Sequence, residues 1–116
     1  LSIEDFNYMS GEAGTIAGYL AQGGHGCISV TANVAPKLTS KLHHYWQIKN
    51  YKEFDKVNLK LAPLSKILFT EPSPTPAKYA LSLMGKCSSE VRSPLIGLSN
   101  DTKRQIKKII KDLNFI

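Results

Sequence analysis

Cysteine is nearly absent: Cys27 and Cys87 are the only two in 116 residues. Two thiols do not make a disulfide framework, so free thiols in a reducing cytoplasm are the simplest assignment. Long apolar runs are also missing. The longest fall far short of the roughly 20 residues that cross a bilayer, which argues against a membrane span. The chain opens at Leu1 rather than Met, with no basic segment leading into an apolar run, so no secretory leader is expected. Histidine and cysteine are too sparse to set out a metal site. His25 and Cys27 lie close together, but the partners of a four-ligand site are not offered at recognisable spacing. Phosphate-binding loops are missing too. Gly24-His25-Gly26 has Ser29 where a third glycine belongs and precedes a strand, not a helix. Gly85-Lys86 is followed by Cys87 and lacks the earlier glycine.

Acidic residues are in deficit, nine against fifteen lysines and arginines, giving a net charge of +6. Much of the excess lies between Lys103 and Lys111. Such a face could neutralise phosphates. However, Ile106, Ile109, Ile110 and Leu113 recur at i, i+3, i+4, i+7, the stripe of a helix facing a core. The lysines are then its solvated side. No aromatic residues alternate with them as stacking platforms, so nucleic acid is not expected as a partner.

What is present reads as strands first and helices afterwards. Phe6–Met9 is a short strand, Glu12–Gln22 a helix with Ala13, Ile16, Ala17 and Leu20 on one face, and Gly23–Gly26 a turn. Cys27–Val30 reads as a buried strand, completing a βαβ unit with a right-handed parallel crossover. Pro36 opens a helix to about Lys49, with Leu38, Leu42, Tyr45 and Trp46 inward. A helix from about Lys52 to Phe69 carries Phe54, Val57, Leu61, Leu64 and Leu68 at 3-4-3-4 spacing, and Pro63 predicts a kink or one lost hydrogen bond. Glu71–Pro76 is a Pro-rich connector with Glu71 as a surface or interface group. Pro76–Met84 is a helix capped by Gly85, Ser88–Leu98 a loop, and the last helix starts near Ser99 or Asn100. Two parallel strands do not make a stable sheet alone. The chain is therefore expected to be the end of a larger α/β barrel followed by a helical extension.

Both strand ends are placed for ligand contact, but no catalyst emerges from the residues. Ser10 lacks a G-x-S-x-G setting, Thr31 has no identifiable base, and His43 and His44 read as packing or solvent-exposed groups beside Tyr45 and Trp46. No lysine sits at the end of a buried strand, where desolvation could depress its pKa for Schiff-base chemistry.

The stretch from Gly23 to Pro36, GGHGCISVTANVAP, closely resembles the dihydrodipicolinate synthase (4-hydroxy-tetrahydrodipicolinate synthase) family. Ser10-Gly11-Glu12, Leu68–Ala80 with its Pro-rich hinge, and Arg92-Ser93-Pro94-Leu95 agree in order and spacing. The resemblance implies the C-terminal part of a TIM (β/α)8 barrel. Residues 1–50 would hold the last two strand-helix units and residues 51–116 the C-terminal helical extension. It implies a parent lyase that condenses pyruvate with aspartate 4-semialdehyde through a lysine Schiff base, in lysine and diaminopimelate biosynthesis. The parent would need no metal or organic cofactor and would be a cytoplasmic homotetramer. Leu1 would follow the sixth strand, leaving the Schiff-base lysine upstream and this segment without a catalytic residue and inactive alone. Two positions match substrate-binding ones: Ile28, whose backbone lies against pyruvate, and Gly11, whose backbone borders the same pocket.

The related N-acetylneuraminate lyases hold sugar hydroxyls with a second acid after the glycine and a later serine. Here Ala13 and Val30 stand instead, which favours the keto-acid enzyme. Ser73 replaces the asparagine common in the hinge. A sugar-acid aldolase fragment and a helical binding module built on the basic final helix are the alternatives.

Overall fold

A computed structural model describes residues 3–116. Among the described residues the helices and strands follow one another as β1 (Met9–Ser10), α1 (Ile16–Ala21), β2 (Gly26–Cys27), α2 (Thr31–Val34), α3 (Pro36–Gln47), α4 (Tyr51–Ile67), α5 (Thr75–Leu83) and α6 (Asn100–Asp112). A 3-10 turn at Ala13–Thr15 leads into α1, so the helix expected from Glu12 begins later. The chain divides into two compact units, one ending at Leu59 and one running from Lys60 to Ile116. The division falls inside α4.

In the first unit, β1 and β2 pair in parallel, Met9 opposite Gly26 and Ser10 opposite Cys27. Main-chain bonds extend the ladder at both ends: His25 N donates to Tyr8 O (2.9 Å) and Ile28 N to Ser10 O (2.8 Å). Ile16, Leu20, Val34, Ala35, Leu42 and Phe54 form the core. The inward stripe expected on α1 is met at Ile16 and Leu20. The ring of Trp46 meets those of Tyr51 (5.0 Å between centroids) and Phe54 (5.2 Å), closing the α3–α4 turn.

The expected buried strand Cys27–Val30 is corrected. Pairing stops at Cys27, and Ile28 is 75% exposed. The cause is local. Ser29 Oγ accepts from Ala32 N (3.2 Å) and Val30 already has helical dihedrals, so the chain turns into α2 directly after Ile28. The first strand is likewise shorter and later than the expected Phe6–Met9.

Helix ends follow from backbone chemistry. After α1, Gly23 has φ +94°; its N–H donates to Leu20 O, and that of Gly24 to Tyr19 O, closing a Schellman turn. A Cβ on Gly24 would lie 2.2 Å from the Tyr19 ring, so this glycine pair is sterically demanded. Gly85 closes α5 in the same way. Lys49 closes α3 with the same hydrogen bonds at φ 59°, although it carries a Cβ.

In the second unit, Leu61, Leu64, Ile67, Leu68, Ala77, Ala80, Leu98, Ile106, Ile110 and Leu113 are buried. The apolar spacing of α4 and the isoleucine stripe of α6 thus face inward, and α5 and α6 pack together. Pro63 is exposed within α4, which runs on through it. Ser99 caps α6 by accepting from Thr102 N (3.3 Å). Its own N–H lies 3.3 Å from both carboxylate oxygens of Glu71, and its hydroxyl donates to Oε2 (3.0 Å). Glu71 therefore ties the Pro-rich connector to the start of the last helix. The Thr102 hydroxyl, together with the Ser99 hydroxyl and N–H, holds its carboxyl below the usual carboxylate range.

Two outcomes are expected. Lys49→Gly should stabilise the protein by about 0.5–1 kcal/mol, because the left-handed conformation costs a non-glycine residue about 1–2 kcal/mol and the flexibility of glycine offsets only part of that; chemical denaturation measures it. A depressed carboxyl pKa stabilises the fold above its unfolded value and loses that contribution as pH falls through the folded value. Glu71→Gln should therefore melt below wild type at neutral pH, and the gap should close in acid as Glu71 protonates in both states. A gap unchanged from neutral to acid pH would refute this linkage.

Candidate functional site

The two strand ends stand side by side at the C-terminal edge of the ladder. Ser10-Gly11-Glu12 leaves β1 and Ile28-Ser29 leaves β2. The first turn is fixed by its own side chains. Ser10 Oγ accepts from Glu12 N (3.0 Å), and Glu12 Oε1 accepts from Gly14 N (2.9 Å), capping the 3-10 turn. Gly11 is exposed, and a Cβ there would meet nothing within 4 Å. Across the ladder, the Ile28 N–H is held by Ser10 O and its side chain points into open space. Gly11 and Ile28, singled out from sequence, thus sit at the same end of adjacent strands, and both residues are exposed. That arrangement can shape and orient a small ligand; Gly11 and Ile28 carry no acid, base or nucleophile themselves, and the Glu12 carboxylate beside Gly11 is taken up in accepting from Gly14 N.

Cys27 lies just inside this edge, half-buried. Burial, and then the nearby Glu12 carboxylate, push its thiol upward against the opposing Ser29 hydrogen bond. A thiol raised in this way stays protonated at neutral pH and is a poor nucleophile. The grouping of Cys27 with Glu12 and Ser29 was not anticipated from sequence. Ser29 could have been found as the capping side chain three residues before Ala32 N, and Glu12 as an acceptor two residues before Gly14.

The histidines do other work. Tyr8 N donates to His25 Nδ1 (2.9 Å), and the two rings stack 6.0 Å apart, so His25 extends the strand pairing. Its Nδ1 is therefore engaged; among the described residues no three His, Cys, Asp or Glu side chains cluster as they would to hold an ion. His43 is half-buried on α3, and desolvation lowers its pKa. A cleft of about 510 Å³ lies at the opposite, N-terminal edge of the strands, lined by Asp5, Phe6, Tyr8 and His25 among others. It is open and holds no part of the Gly11–Ile28 edge. Among the described residues no helix is long and apolar enough to cross a membrane.

Comparison with known proteins shows the family of the chain as a whole. Residues 2–113 match the model of the dihydrodipicolinate synthetase family. A 4-hydroxy-tetrahydrodipicolinate synthase from Bradyrhizobium diazoefficiens is 48% identical over 104 residues, covering 90% of this chain and 35% of the relative. The crystal structure of dihydrodipicolinate synthase from Thermotoga maritima superposes with a TM-score of 0.93 at 38% identity, covering 97% of this chain and 38% of that one. The chloride-inhibited dihydrodipicolinate synthase from Acinetobacter baumannii, complexed with pyruvate, gives a TM-score of 0.89 at 34% identity over 96% of this chain and 38% of that one. The chain thus spans little more than a third of the length of these relatives. With the family model matching residues 2–113 and the relatives' sequences and backbones agreeing over nearly the whole chain, the chain belongs to the dihydrodipicolinate synthetase family.

Proposed function

We propose that this chain is the C-terminal part of a 4-hydroxy-tetrahydrodipicolinate synthase. Residues 1–50 are the last two strand-helix units of a (β/α)8 barrel, and residues 51–116 are its helical extension. The parent enzyme condenses pyruvate with aspartate 4-semialdehyde through a lysine Schiff base, in the cytoplasm and as a homotetramer. The lysine is supplied by a part of the protein outside this chain. The role of the present residues is to form one side of the substrate pocket.

The observation that carries this reading is the juxtaposition of Gly11 and Ile28 across the parallel ladder, tied by the 2.8 Å bond from Ile28 N to Ser10 O. Barrel enzymes build their sites from turns at the C-terminal ends of parallel strands, where several strands each contribute a little. Two adjacent exposed turns, whose one carboxylate, Glu12, is taken up by Gly14 N, suit positioning. The keto acid is small, so close backbone approach suffices to orient it. A polyol would require further hydrogen-bonding side chains, because hydroxyls against an apolar wall go unpaired. Ala13 and Val30 supply none, which favours the keto acid over a sugar acid.

Borohydride trapping tests the assignment. The full-length protein with pyruvate should gain the mass of one reduced pyruvyl group per subunit. This segment alone should gain none, and a stable adduct on one of its lysines would overturn the reading. Gly11→Ala tests the pocket separately. Within this segment the new methyl meets open space, so the melting temperature should stay within a degree or two. In the full enzyme the methyl should intrude on the substrate and raise KM for pyruvate about tenfold, a loss of roughly 1.4 kcal/mol. An unchanged KM would remove Gly11 from the site.

A further inference from the structure

His25 meets Tyr8 at two points. Its N–H donates to Tyr8 O (2.9 Å), and its ring nitrogen Nδ1 accepts from Tyr8 N (2.9 Å). The residue just before β2 thus grips both main-chain groups of the residue just before β1. The ladder beyond this clamp is only two paired residues per strand, so the clamp is a large share of what fixes its register. The second point also fixes the proton on the ring. A main-chain N–H only donates, so Nδ1 must offer its lone pair, and the proton of the neutral ring is on Nε2. A further proton would go to Nδ1, and Tyr8 N–H would then face another donor. The titratable side chains that share the cleft with His25 are Asp5 and Tyr8, and on the α1 side the Tyr19 ring lies against Gly24. Neither ion pair among the described residues involves His25.

We propose that His25 is a positioning residue for the pyruvate pocket, acting as a hydrogen-bond acceptor in its neutral, Nε2–H form. It touches no substrate, since it stands at the N-terminal edge of the strands. It acts through the ladder. Tyr8 leads into Ser10, whose carbonyl holds the Ile28 N–H at 2.8 Å, and Ser10 leads into Gly11. With residue 8 gripped, the strands enter in one register, and Gly11 and Ile28 leave it side by side. A slip of one residue would turn the opposite groups toward the pocket. Protonation of the ring removes one of the two grips and loosens the rim at its far end. The role is exercised on Gly11 and Ile28, so it rests on the enzyme reading proposed above.

The test uses the full-length protein. At neutral pH the nitrogen chemical shifts of the His25 ring should report a bare Nδ1 and a protonated Nε2; the opposite tautomer overturns the proposal. His25→Leu removes the acceptor and should raise KM for pyruvate about threefold or more, with kcat little changed. His25→Asn keeps an acceptor oxygen close to the place of Nδ1 and should restore the wild-type KM. Asparagine does not titrate. The ratio of the wild-type KM to that of His25→Asn should therefore climb as pH falls from neutral toward about 5. A flat ratio overturns the proposal, and so does an equal KM in the leucine and asparagine variants or an equal loss of kcat in both. The tautomer and the pH ratio decide the matter even if the leucine variant does not fold. Wild-type protein that yields no borohydride-trapped pyruvyl adduct would sink the enzyme reading, and this role with it. An adduct with a KM unmoved by His25→Leu would sink this role alone.

Discussion

The parallel ladder between Tyr8–Ser10 and His25–Ile28 is the constraint on which the proposed site depends. It is very short, with two paired residues per strand and one main-chain bond beyond each end. A pair of this size does not hold a sheet together by itself. Its stability comes from what surrounds it: the Ile16 and Leu20 face of α1, the glycine turn locked under Tyr19, and the His25 imidazole that takes up Tyr8 N. In return the ladder sets the two outgoing turns beside each other. Every functional statement about Gly11 and Ile28 rests on that register, since a slip of one residue would reverse which groups face the pocket.

The helical unit depends on a different device. A Pro-rich connector has few N–H groups with which to anchor itself, and Glu71 compensates by accepting from the first residues of α6. The N-terminus of α6 thereby gains a negative group where its macrodipole favours one. Ser99 serves twice, as cap to its own helix and as donor to the connector.

Much of this was legible in the residues. The α6 stripe, the α4 spacing, Pro36 at a helix start, and Gly85 at a helix end are local signals with strong physical causes. The structure places them as expected. The family was legible as well, because the glycine turn, the strand and the Thr31-Ala32-Asn33 stretch after it form a long and specific string. The extent of the strands was less legible. Cys27-Ile28-Ser29-Val30 has the composition of a buried strand, yet the capping hydroxyl of Ser29 turns the chain at once. The Glu71–Ser99 contact was hidden for another reason. It joins residues 28 apart in sequence, and no periodicity reports such a pairing. Gly11 and Ile28 were identified by resemblance alone, since neither residue type advertises a ligand contact.

The character of the Glu71 attachment has one more consequence. Its partners are hydroxyl and amide groups at about 3 Å, not the ammonium or guanidinium of a basic side chain. Exposed ion pairs such as Lys56–Glu53 and Arg104–Asp101 fade as ionic strength shortens the Debye length. Hydrogen bonds from neutral donors act at contact range, where mobile ions do not intervene. The joint between the connector and the last helix is therefore built to hold across a wide range of salt.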